Sequence, residues 1–99
     1  MTGTTGTIDH EEQGHRGAFF ILREGKRIAE MTYSRATPSL VIIDSTEVSP
    51  ELAGQGVGRS LLDAAVAWTR ATGTKVMATC PFALAQFSKD SSIRDVLAQ

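Results

Sequence analysis

The chain has 99 residues, 41% of them hydrophobic and 21% charged, with 10 basic and 11 acidic side chains and a formal net charge of −1. That balance excludes a charge-swollen disordered chain, and without a run of Lys or Arg it offers no footprint for nucleic acid or an anionic membrane. A length of this order is one domain's worth, which stands alone only when nearly every element contributes to a single core.

Residues 1–16 read as a flexible N-terminal tail, with His10 and His15 solvated. Met1 to Thr7 lacks the basic start and apolar run of a secretion signal, and no stretch of about 18 apolar residues follows that could cross a membrane. A cytoplasmic location is the expectation. Cys80 is the only cysteine, which rules out an intramolecular disulfide, and with two histidines no spacing resembles a structural zinc site, so no metal is expected.

From Gly17 to Leu22 the run Gly-Ala-Phe-Phe-Ile-Leu suits a pleated, half-buried strand, and Arg23-Glu24-Gly25-Lys26 supplies a turn. Arg27 to Tyr33 returns as a second strand, antiparallel to the first, with Ala29, Met31 and Tyr33 on one face and Glu30 and Thr32 on the other. Thr37-Pro38 breaks it. Leu40 to Val48 is a third, longer strand. Strict alternation places Leu40, Ile42, Asp44, Thr46 and Val48 on one face and Val41, Ile43, Ser45 and Glu47 on the other. Two carboxylates on a strand this apolar need an explanation.

Gly54-Gln55-Gly56-Val57-Gly58 follows, and then a helical pattern runs to Thr72 with Val57, Leu61, Ala64, Ala65 and Trp68 as its apolar stripe. Gly73 suits the helix end. Lys75 to Thr79 is a short fourth strand. Cys80-Pro81 opens a second helix, with proline at its first position and Cys80 as the capping residue. Trp68, Phe82 and Phe87 read as core at helical spacing, and Ser91 to Ala98 has room for a last helical turn or two. The order of elements is that of one α/β layer pair.

A strand, a glycine-rich turn and a helix start together form a generic anion site, because unpaired backbone N–H groups and the positive end of the helix dipole converge there. A dinucleotide fingerprint fails, since its third glycine would fall on Arg59, and no phosphate-loop Gly-Lys-Ser/Thr is present. Gly56-Val57-Gly58, opening a helix directly after a long strand, resembles the pyrophosphate loop of the GNAT N-acetyltransferases. Their pattern is Gln or Arg, two residues, Gly, any residue, then Gly or Ala. A closer resemblance, from Phe19 to Leu97, is to very small single-domain acetyltransferase-like proteins. Their core reads His-Thr-Glu-Val, a linker, Arg-Gly-x-Gly-Ile-Ala/Gly, a helix, then Thr/Ser-Cys followed by an aromatic. The matching segments here are Ser45-Thr46-Glu47-Val48, Ala53-Gly54-Gln55-Gly56-Val57-Gly58, Leu61 to Trp68 and Thr79-Cys80-Pro81-Phe82, in the same order. Ser45 for the histidine and Ala53 for the arginine are the clearest departures.

The resemblance implies a minimal GNAT-like α/β fold over 17–99, a mainly antiparallel sheet packed by two main helices. It also implies an acyl-CoA-binding domain that takes acetyl-CoA or another CoA thioester as donor, acts on an amine that the sequence does not identify, and is a monomer or weak dimer. Gly54, Gln55, Gly56, Val57, Gly58 and Arg59 would hold the pyrophosphate, with Arg59 alternatively an ordinary surface arginine. Thr46, Glu47 and Val48 would offer backbone groups to the pantetheine arm where the third strand splays from the fourth. Glu47 is the first choice of general base, its other reading being a solvated strand residue. Cys80, at a helix start, is the candidate nucleophile or acyl-pocket residue, its other reading being a small buried core residue. The rival to an N-acyltransferase is a CoA-binding module without catalysis.

Overall fold

In the computed structural model, which describes residues 7–98, five strands form one sheet in the order β1-β2-β3-β4-β5. They are β1 (Ile8–Gln13), β2 (Arg16–Arg23), β3 (Lys26–Thr37), β4 (Leu40–Val48) and β5 (Lys75–Ala78). Neighbours from β1 to β4 run antiparallel, and β5 joins β4 in parallel. A parallel pair needs a crossover, which α1 (Val57–Thr72) supplies, and α2 (Pro81–Lys89) follows β5. The mainly antiparallel sheet with two main helices expected from the sequence is the fold observed.

β1 corrects the reading of residues 1–16 as a tail. Residues 1–6 lie outside the described part, but Ile8–Gln13 pairs along its whole length with β2 across the turn Gly14-His15, with Gly14 at φ +60°. Its polar composition conceals it. Asp9, Glu11 and Glu12 belong to an edge strand, where charged side chains discourage pairing with another chain. His10 keeps one side in solvent but is not simply solvated. Its ring stacks on Phe19 with centroids 4.1 Å apart and meets Trp68 edge-on at 4.8 Å. Its Nε2 lies 2.7 Å from the Tyr33 hydroxyl, which donates to Glu12 at 2.7 Å. Arg35 grips the same carboxylate with two N–H groups, at 2.9 and 3.0 Å.

The alternation expected along β4 holds only as far as Ile43. Tyr33 faces Ile43 and Thr32 faces Ser45, so Asp44 is an extra residue without a partner. This is a β-bulge, and it turns the later side chains over. Val41 and Ile43 point into the core before it, and Thr46 and Val48, opposite Met31 and Ala29, point to the same side after it. Asp44 accepts from Thr32 Oγ1 at 2.5 Å, from Arg16 at 3.0 Å and from Ser34 Oγ at 3.3 Å. One of the two unexplained carboxylates therefore pins the bulge.

Both helices pack against the face that carries Phe19, Met31, Tyr33, Val41 and Ile43, in one continuous core. On α1 the predicted Val57, Leu61 and Ala65 are buried together with Leu62, Val66 and Thr69, while Ala64 and Trp68 lie at the margin. Gly17 makes room for Tyr33, since a Cβ there would come within 2.2 Å of the ring. Ser91–Val96 forms the expected last turns as a 3₁₀ helix, after which Leu97 bridges to Val76. Among the described residues no helix is long and apolar enough to cross a membrane.

Candidate active site

The site begins where two strands part. β5 pairs with β4 only from Leu40 to Ile43. The Ile43 carbonyl then accepts the amides of both Thr79 and Cys80, at 2.9 and 3.2 Å. Pro81, favoured at a first helical position, starts α2 and turns the chain away. β4 continues to Val48, paired with β3 alone. In an antiparallel ladder, residues that bond across alternate with residues whose N–H and C=O point outward. Ser49 N–H donates to Ile28 at 2.8 Å, which assigns Glu47, two residues earlier, to the β3 side as well. The main-chain groups of Thr46 and Val48 therefore point into the gap.

The glycine loop closes the other side. A 3₁₀ turn at Pro50–Leu52 buries Leu52 and leads into Gly54 at φ +81° and Gly56 at φ +71°, a conformation that side chains disfavour. A Cβ at either glycine would meet nothing within 4 Å. The backbone, not crowding, demands glycine here, and the space above the loop is open. Ser60 N–H closes the first helical bond to Gly56 at 3.0 Å. Among the described residues no backbone carbonyl accepts the amides of Gly54, Gly56, Val57, Gly58 or Arg59. They lie at the positive end of a 16-residue helix.

Gap and loop open onto one cleft of about 420 Å³, lined by Thr46, Val48, Gly54, Gly56, Val57, Gly58 and Arg59. Gln55 is the predicted loop residue that does not line it, and its side chain turns back toward the Glu51 carbonyl. Phe82 and Gln86 of α2 complete the wall. Phe82, packed at the edge of the core as its helical spacing suggests, is also a wall residue, and Gln86 joins it from outside the expected set. The Phe82 ring packs on Gly58, where a Cβ would sit 3.0 Å from it. Gln86 stands one turn further along the same helix face, a spacing that could have paired the two.

Arg59 already has partners. Its Nε donates to Asp63 at 2.8 Å, Nη1 to Gln86 at 3.0 Å and Nη2 to Asp90. The bonds to Asp90 and Asp63 raise the arginine's pKa, and the Arg59 guanidinium in turn holds the Asp90 carboxyl well below the usual carboxylate range.

The two candidate catalytic side chains lie on opposite sides of β4. Glu47 is exposed on the face away from the helices, in a hollow of about 220 Å³ shared with Arg27, Glu30 and Ser49. Cys80 occupies the expected capping position of α2, with φ −72° and ψ 125°, but its side chain makes no capping bond. It is 2% exposed, with Sγ 3.2 Å from Thr46 Oγ1. Among the described residues no group of three or more His, Cys, Asp or Glu is placed to hold a metal ion.

A sheet that splays beside a glycine-loop helix start, with unpaired strand and helix amides lining one cleft, is a site suited to an anionic ligand, and it is the architecture that the resemblance to the GNAT N-acetyltransferases implied. The model of the GCN5-related N-acetyltransferase family matches residues 18–96, and the chain belongs to that family. It is similar to a GCN5-like protein from Staphylococcus aureus, solved in solution by NMR. The two are 34% identical with a TM-score of 0.71, and the match covers 96% of this chain and 90% of that one. The ribosomal-protein-S18-alanine N-acetyltransferase of Escherichia coli is 18% identical with a TM-score of 0.64, over 79% of this chain and 53% of its own length. An aminoglycoside N-acetyltransferase in complex with CoA is 19% identical with a TM-score of 0.54, over 82% and 68%. These last two share the fold. No curated protein matches the sequence.

Proposed function

We propose that this chain transfers an acetyl group from acetyl-CoA to an amine. The observation that carries the reading is the gap between β4 and β5, where the outward main-chain groups of Thr46 and Val48 share a cleft with the free amides of Gly54, Gly56, Val57, Gly58 and Arg59. A pantetheine arm has amides with which to continue the ladder that β5 abandons, and a pyrophosphate has the charge that a helix start attracts. In this reading Gly54, Gln55, Gly56, Val57, Gly58 and Arg59 form the pyrophosphate loop. Ala53 adds no side-chain donor, so the backbone carries the phosphates.

Acyl transfer needs an amine without its proton and a stabilised tetrahedral oxyanion. The nitrogen attacks the thioester carbonyl carbon, the C–N bond forms, and the C–S bond then breaks to release the CoA thiolate, which takes up a proton. The acceptor has to approach from the face that the donor does not fill. Glu47 is exposed on that face, and there it takes the amine proton directly or through water. An outward strand amide at Thr46 or Val48 is suited to the oxyanion. Cys80, at 2% exposed and bonded to Thr46, shapes the acyl end of the cleft in this reading, and transfer is direct.

Isothermal titration with acetyl-CoA tests the assignment, with Gly56→Asp as the control. The wild type is expected to release heat and the variant none, because the introduced carboxylate enters the open space above the loop. An absence of both heat and competition with wild-type protein at millimolar ligand overturns the reading. Among the described residues both helices pack on the cleft side of the sheet and none walls an acceptor pocket beside Glu47, which supports a second reading, a CoA-binding module without catalysis. Binding without turnover across a panel of amines selects it.

A further inference from the structure

One cation ties the start of α1 to the end of α2 at the mouth of the cleft. Arg59 reaches Asp63 within its own helix, and Gln86 and Asp90 across it. Asp90 is itself anchored, its Oδ1 accepting the Ser92 amide at 2.9 Å and the Ser92 hydroxyl at 2.6 Å. A guanidinium has five N–H groups in a rigid fork. Three are spent on these internal acceptors.

The charges at this corner do not favour an anion. Arg59 brings one positive charge, and Asp63 and Asp90 bring two negative ones within hydrogen-bond reach of it. Coulomb energy falls as the inverse of distance, so a carboxylate at roughly twice the separation repels a phosphate about half as strongly as the guanidinium attracts it. Two such carboxylates offset the arginine.

We propose that Asp63 and Asp90 form an inhibitory latch on Arg59, so that phosphate binding rests on the loop amides alone and the arginine contributes only when a carboxylate is released. The proposal rests on the CoA reading and deepens it by naming what limits affinity. It also accounts for an arginine in the first turn of α1, where the dipole disfavours a cation, since the two carboxylates hold it there. Asp63 and Asp90 act through Arg59 and are positioning residues.

Titration of CoA into the wild type, Asp63→Asn, Asp90→Asn and the double variant reads the latch directly. Asparagine caps as well as aspartate, so the turn at Ser92 survives in Asp90→Asn. Removing one carboxylate is expected to tighten CoA about threefold and removing both about tenfold, with a steeper loss of affinity as salt is raised. Adding Arg59→Ala to the double variant returns affinity to near the wild-type level. Equal or weaker binding in Asp90→Asn, with the wild type binding, overturns the latch and makes the carboxylates aids to the phosphate site. Asp63→Asn, on an exposed helix surface, gives the same sign if Asp90→Asn fails to fold. If neither the wild type nor any variant binds CoA, the CoA reading itself fails and the latch with it.

Discussion

Thr46 and Cys80 meet across the line along which β4 and β5 part, with Oγ1 of one 3.2 Å from Sγ of the other. Thr46 lines the cleft, and the thiol beside it belongs to the same core as Val57 and Ala83. Cys80→Ala is therefore expected to keep acetyl transfer while losing about 1–2 kcal/mol of stability to the small void left behind. Intact-mass measurement after incubation with labelled acetyl-CoA checks it. An adduct on the wild type that vanishes along with activity in Cys80→Ala would establish the covalent route instead.

Glu47 lies on the sheet face that the cleft does not use. Glu47→Gln is expected to lower kcat by about a hundredfold or more, the usual worth of a general base, and to leave the KM for acetyl-CoA unchanged. Steady-state kinetics separates the two. An unchanged kcat moves the base elsewhere.

Gly17 stands against the Tyr33 ring with three ring and hydroxyl atoms between 2.2 and 2.7 Å from where a Cβ would be. Tyr33 is 1% exposed and cannot retreat without breaking its bonds to His10 and Glu12. Gly17→Ala is expected to cost about 2 kcal/mol, a fall of about 10 °C in Tm for a domain of this size. A melting curve decides it.

The same corner sets a pH dependence with a definite sign. Burial lowers the pKa of His10 from its ordinary 6.5, with Glu12 opposing and Arg35 assisting. The folded state then prefers the neutral ring, so this contribution is present above pH 6.5 and is lost as pH falls below it. Glu12 is lowered from 4.5 to about 2, first by Arg35 and then by the Tyr33 hydroxyl. Its contribution is present above pH 4.5 and is lost between there and pH 2. Tm is expected to fall in two steps on acidification, small ones because both groups touch solvent. His10→Phe should erase the upper step and Glu12→Gln the lower, as thermal melts across pH 8 to 2 would record.

The glycine loop and both helices were legible because their signals are local. A Gly at positive φ, a proline at a first helical turn and an apolar stripe are written within a few residues of where they act. Five of the six predicted loop positions line one cleft for the same reason. β1 was not legible. Its residues are polar, and only pairing with β2 together with the shelter that Phe19 and Trp68 give His10 make it a strand. Asp44 stands out of place on an apolar strand, but its role needs Thr32, Ser34 and Arg16, which lie at least ten residues away in the chain.

What the sequence determined by itself is the succession of strand, glycine turn and helix, and with it a set of main-chain donors that an anion can meet. The tertiary structure alone decided which side chains face those donors. A one-residue bulge at Asp44 turned Thr46 and Val48 toward the cleft and Glu47 away from it, and Asp90, 31 residues from Arg59, claimed the arginine. Backbone conformation is set by near neighbours in the chain, whereas side-chain direction and charge pairing are set by neighbours in space, which only the folded chain brings together.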